Sequence, residues 1–227
     1  MINIDIEEEL RQACPDIHLS CILCDVEVNA QSTQLWEQIN ATCDKLTAEL
    51  NVEDIRHNHA IAAARKAYKA CGKDPARYRL SAEALLRRVV SGKGLYQINN
   101  VVDLLNLVSI STGFSIGGYD FDKIDDSIKM GIGKADEPYQ GLGRGELNIE
   151  GMPVFRDSQN AFGTSTSDSV RTGVTDQTKR FLMIIVSYNG QQLLDEATQL
   201  AISLLTDFAS AKNVHQELIS GQERTDR

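Results

Sequence analysis

The chain has 227 residues, of which 42% are hydrophobic and 24% charged, with a formal net charge of −9. That length holds one large domain or two small ones, and the composition is that of a globular protein. The acidic balance argues against a general nucleic-acid binder, and no run of about 18 apolar residues offers a membrane helix.

Residues 1–14 read as a short helix or capped arm. Their acidic sequence has neither the basic start nor the apolar core of a signal peptide, so a cytoplasmic location is expected. Ile17 to Val28 alternates as the first strand. Cys14, His18, Cys21 and Cys24 lie close in sequence, but there is no second CxxC pair. In a strand Cys21 and Cys24 point to opposite faces, so no metal or cofactor is expected. Thr33 to Leu50 is an amphipathic helix, with Trp36 expected in the core. Ile55 to Cys71 is the next helix, stopped at Gly72 ahead of Pro75. His57 and His59 are two apart, which suits surface or capping positions better than a helical metal pair.

Lys73 to Leu80 is a loop, and Ser81 is the expected cap of a helix over Ala82 to Val90. Residues 56–94 hold ten Lys or Arg against Asp74 and Glu83, inside an otherwise acidic chain. Two readings follow. Arg65, Lys69, Arg77, Arg79, Arg87, Arg88 and Lys93 form a phosphate footprint, or they are solvated helix faces paired with acids from elsewhere.

Gly94 to Ile124 organises the chain. Asn99 or Asn100 caps a helix whose apolar residues Val101, Leu104, Leu105 and Val108 are helix-spaced, and Gly113 ends it. Asp103 and Asn106 are polar groups on this apolar element, and buried polar groups must find partners. A short strand-like piece, Phe114 to Ile116, precedes the block Gly117-Gly118-Tyr119-Asp120.

The remainder reads as β-rich, with strands over Ser127–Gly133, Glu146–Ile149, Met152–Arg156 and Arg180–Tyr188, and glycines marking the turns. Asp157 to Asp176 is a hydroxyl-rich loop, long enough to be functional or poorly ordered. Gln191 to Ala211 is a last amphipathic helix, and 213–227 is expected to fray. The order predicts an α+β fold: a single domain over 1–227, helices packed on a mixed or antiparallel sheet.

The motifs resemble a known family. Asn99-Asn100-Val101-Val102-Asp103-Leu104-Leu105-Asn106, then Gly113, then Tyr119-Asp120-Phe121-Asp122-Lys123-Ile124 are similar to the B3/B4 domain of the phenylalanyl-tRNA synthetase beta subunit. They resemble most the free-standing proteins built from that domain alone. Ala64 to Tyr68, Gly72 to Pro75, Arg77 to Arg79, Ser81 to Leu85, Arg87 to Val89 and Val174 to Asp176 continue the pattern, which spans about residues 15–188.

The resemblance implies a tRNA-binding or editing domain with a pocket between the asparagine-bearing helix, the loop after it and a later glycine-rich loop. It makes tRNA and an amino acid or aminoacyl group the candidate partners, and hydrolysis of mischarged tRNA in trans the candidate activity. Asn106 matches the family's asparagine and the block Gly117 to Asp120 is similar to that of the free-standing relatives, while the family's loop glutamate has no placed counterpart. With Asp120, Asp157 and Asp168 as acids that could orient water, the pocket candidates are Asn106, Gly117, Tyr119, Asp120, Asp157 and Asp168. The family's threonine is replaced by Leu105, and its pocket histidine falls at Gly117. No Ser-His-Asp or Cys-His arrangement is evident. A metabolite-binding module without catalysis and a protein-interaction domain are the rival readings. The sequence does not set an oligomeric state.

Overall fold

The computed structural model describes residues 2–30, 32–125 and 127–221. Two four-stranded sheets form its centre. β2 (His18–Asp25), β3 (Ser115–Asp120), β9 (Arg180–Ser187) and β10 (Lys212–Ser220) make an antiparallel sheet in the order β10-β2-β9-β3. β1 (Ile4–Ile6), β4 (Ile128–Ile132), β7 (Pro153–Arg156) and β8 (Ala161–Thr164) make a mixed sheet in the order β1-β4-β7-β8, with β1 parallel to β4. A two-residue pairing, β5 (Gln140–Gly141) with β6 (Gly145–Glu146), stands apart. The expected α+β architecture holds, with the single expected sheet resolved into two.

β2 and β9 are buried on both faces, so β2 does not show the one covered face that its expected alternation implied. One face meets helices: Thr198 of α6 (Leu194–Ala209) donates to Ser20 Oγ at 2.6 Å. The other face meets the second sheet, where Tyr119 packs edge-on against Phe162, with centroids 5.0 Å apart, and near Phe155. Strand pairing fixes which residues share a face. Ile116, Gly118 and Asp120 lie with Phe181 and Met183 on the helix side, whereas Gly117 and Tyr119 face the second sheet.

α5 (Asn100–Thr112) is the central helix. Asn99 caps it by accepting from Val102 N, and Gly113, at φ 83°, ends it. Asn100 is fully covered: it accepts from Asn29 N at 2.7 Å and donates to the carbonyls of Glu27 and Phe208, tying α5 to the ends of β2 and α6. Asp103 accepts from Trp36 Nε1 of α2 (Thr33–Glu49) at 2.8 Å and from Ile98 N at 2.9 Å. Burial raises its carboxyl and these donors pull it part of the way back. Its role is structural.

Several boundaries differ from the sequence reading. The N-terminal arm is a strand followed by α1 (Glu8–Ala13). The helix expected over Ile55–Cys71 breaks at Asn58, whose side chain accepts from Ala60 N and Ile61 N and caps α3 (His59–Ala70). Ser81 is not a cap. Leu80 holds that position, and Ser81 opens α4 (Ser81–Val90) with its N–H donating to Ser165 O. The Gly117 block continues the preceding strand, and Glu146–Ile149 contributes only its first residue to a strand. The 157–176 segment contains β8, and Thr164 Oγ1 accepts from the N–H groups of Thr166 and Ser167 to order the turn after it. Residues 213–220 do not fray; they belong to β10, and 222–227 lie outside the described residues.

Candidate binding cavity

A cavity of about 140 Å³ opens between α4, α5 and the helix-side face of β3 and β9. Leu85, Val102, Leu105, Ile116, Val174 and Phe181 give it apolar walls; Ser81, Asn106, Ser109 and Asp168 are its polar side chains. Its volume approaches the about 150 Å³ of an engineered apolar cavity known to hold benzene. Gly118 lines it where any side chain would intrude: a Cβ there would meet Leu105 Cδ1 at 2.5 Å and the Phe181 ring at 3.1 Å.

The polar groups divide by their partners. Ser109 Oγ is engaged, donating to Phe114 O at 2.7 Å. Asn106 is half-buried, and its amide has no partner among the described residues. Asp168 accepts from Gly118 N at 3.2 Å. Burial pushes its carboxyl up to about 7, with the Gly118 N–H and the neighbouring Tyr119 hydroxyl pulling it partly back. Tyr119 Oη has no partner in hydrogen-bonding geometry among the described residues, and burial holds that phenol well above its ordinary range.

Of the six pocket candidates, Asn106 and Asp168 line the cavity. Gly117 lies on the opposite face of β3, where its missing side chain leaves room for the Tyr119 hydroxyl. Tyr119 is core. Asp120 accepts from Thr178 Oγ1 at 2.9 Å and pairs with Lys123 at 3.2 Å, pinning the approach to β9. Asp157 is held by both guanidinium nitrogens of Arg171, at 3.0 and 2.8 Å. Burial raises its carboxyl, but Arg171 and three backbone N–H groups outweigh that and keep it below the usual range. Gly118 and Ser81 line the cavity although neither was among the pocket candidates. Strand alternation from Ile116 was the available signal for Gly118.

The basic residues are largely spoken for. Glu83, 1% exposed, is clasped by Arg65 at 2.7 Å, by Arg87 at 3.0 Å and more loosely by Arg79 at 4.0 Å. Arg88 stacks over the Tyr96 ring, 3.7 Å from its centroid, and donates to the Tyr96 hydroxyl. Arg77 lies 5.7 Å from the Tyr78 centroid. Lys69 and Lys93 are exposed.

Comparison with known proteins agrees with the motif order. An N-terminal fragment of the phenylalanyl-tRNA synthetase beta subunit from Pyrococcus horikoshii shares the fold, with a TM-score of 0.51 and 14% identity. The alignment covers 96% of this chain and 54% of the fragment, so the chain spans about half the fragment's length. No curated protein matches. Residues 63–220, from within α3 to the end of β10, match the B3/4 domain. They contain α4, α5, β3 and β9, the elements that enclose the cavity, and the chain belongs to the B3/4 domain family.

Proposed function

We propose that the chain binds an aminoacyl-type ligand, with an apolar side chain in the cavity and an α-ammonium group against Asp168. The observation that carries this reading is the pairing of a side-chain-sized apolar cavity with two convergent polar groups, the unpartnered amide of Asn106 and the near-neutral carboxyl of Asp168. Among the described residues no cationic side chain lines the cavity, so none of them would neutralise a free carboxylate. An amine whose carboxyl is esterified, as on the end of a charged tRNA, suits it better than a free amino acid. The relation to a tRNA synthetase subunit supports that choice.

Hydrolysis of the ester is the second reading, and it rests on Asp168 and Asn106. A carboxyl titrating near 7 accepts a proton from water at neutral pH, and Asn106 supplies a donor for the developing oxyanion.

The test is a thermal-shift panel of free amino acids, their amino alcohols and a charged tRNA, with ester loss followed in the last. Amino alcohols with side chains up to phenyl size raise Tm, because a ligand specific to the native state must stabilise it. Asn106→Ala and Asp168→Asn abolish the rise. No response from any amine, or an equal response in both variants, overturns the assignment. Binding without ester loss removes the hydrolytic reading and leaves the binding one.

A further inference from the structure

β10 is the outer strand of its sheet, nine residues long, with no neighbour on its far side among the described residues. Its only inner partner is β2. Long open edges are normally blunted, because their unpaired N–H and C=O groups recruit other chains. β10 has one such device, at one end. The register slips between Lys212 and His215, and Asn213 sits at φ 51°. From His215 to Ile219 the pairing with β2 is regular, and Val214, just before it, and Leu218 are 36% and 37% exposed.

We infer that this edge is the interface of a homodimer, in which β10 pairs antiparallel with β10 of a second copy and joins two four-stranded sheets into one. Symmetry restricts the register. A two-fold axis relating antiparallel neighbours stands perpendicular to the sheet and keeps each face on its own side. Directly opposed residues must therefore have numbers whose sum is even.

Centring the axis on Glu217 sets two carboxylates against each other, and centring it on His215 sets two imidazoles against each other. Centring it on Leu218 puts Glu217 opposite Ile219. Centring it on Gln216 opposes His215 with Glu217 twice over, an imidazole N–H meeting a carboxylate. It also opposes Val214 with Leu218 twice, and Leu218, paired with Ser20, lies on the face that carries α6. This register alone satisfies the charged and the apolar positions together. It makes Gln216 self-opposed.

Sedimentation velocity of the full chain over a range of concentrations tests this. The wild type sediments as a concentration-dependent dimer. H215E sets two acids opposite each other at two symmetric places and weakens the dimer about tenfold or more. E217H fails likewise, and the double exchange H215E/E217H restores wild-type association, a recovery that misfolding does not mimic. Q216C provides a second readout, because oxidation cross-links it to its own counterpart. A wild type monomeric throughout, an H215E dimer as tight as the wild type's, or a double exchange that stays monomeric would each overturn the inference.

Discussion

Replacing Glu83 with glutamine tests whether the basic stretch of α3 and α4 is structural. The Glu83 side chain is 2% exposed, and Arg65 and Arg87 reach it at 2.7 and 3.0 Å with side chains 25% and 29% exposed. Hydrogen bonds to a charged group contribute about 1.5–3 kcal/mol each. Glutamine keeps the shape and one acceptor but removes the charge, and the arginines recover part of the loss by turning to water. The net expected destabilisation is about 3 kcal/mol, which for a chain of this size lowers Tm by about 6–12 °C. Urea unfolding reads it as a lower midpoint at unchanged slope. The same variant frees guanidinium groups from their acid, so retention on a heparin column rises. A loss below about 0.5 kcal/mol, the level of an ordinary surface change, would refute the clasp.

Asp168 gives the protein a distinctive pH profile. Its folded value of about 7 lies above its ordinary 3.8, so the native state holds the proton more tightly than the unfolded chain. That contribution is full below about pH 4 and is lost as pH rises to about 7, at up to about 1.4 kcal/mol per pH unit, and Asp168→Asn flattens it in pH-dependent denaturation. Asn100→Ala removes the side-chain partner of two carbonyls and one N–H in part-buried bonds. It costs about 2–4 kcal/mol by chemical denaturation; a loss under about 1 kcal/mol contradicts the three-way tie. Gly118→Ala drives a methyl against Leu105 and into the cavity. It costs about 1–3 kcal/mol and removes the thermal response to amino alcohols; an undiminished response moves the ligand elsewhere.

Elements whose residues agree at every level were legible in the sequence. Residues 18–25 are apolar enough for both faces to be covered, and α5 carries its own start at Asn99 and stop at Gly113. β8 was missed because four residues, Ala161–Thr164, are too few to show a period and sit among turn-forming hydroxyls. β10 was missed for a different reason. A largely exposed edge strand has no clear apolar alternation, and KNVHQELIS reads as a polar tail until β2 is placed beside it.

The site was partly legible. Asn106 sits at a position that the family pattern carries, whereas Asp168 is legible only as an acid in the hydroxyl-rich loop. The resemblance puts the family's pocket histidine at Gly117, but the cavity takes Gly118, because one residue reverses the face of a strand and only pairing with β9 decides it. The spacing Arg79-Glu83-Arg87 is an i,i+4 ladder visible in the sequence. Arg65 joins it only through packing of α3 against α4.

The most direct measurement of the central claim is calorimetric titration of phenylalaninol, an amine without a carboxylate, into the wild type and Asp168→Asn between about pH 5 and about pH 8. A ligand ammonium favours the ionised carboxylate, so wild-type affinity rises up to tenfold per pH unit and levels above about 7, where Asp168 is already ionised. The variant shows weak binding with no such rise. Wild-type affinity independent of pH, or a variant that binds as tightly, would contradict the placement of an aminoacyl ligand against Asp168.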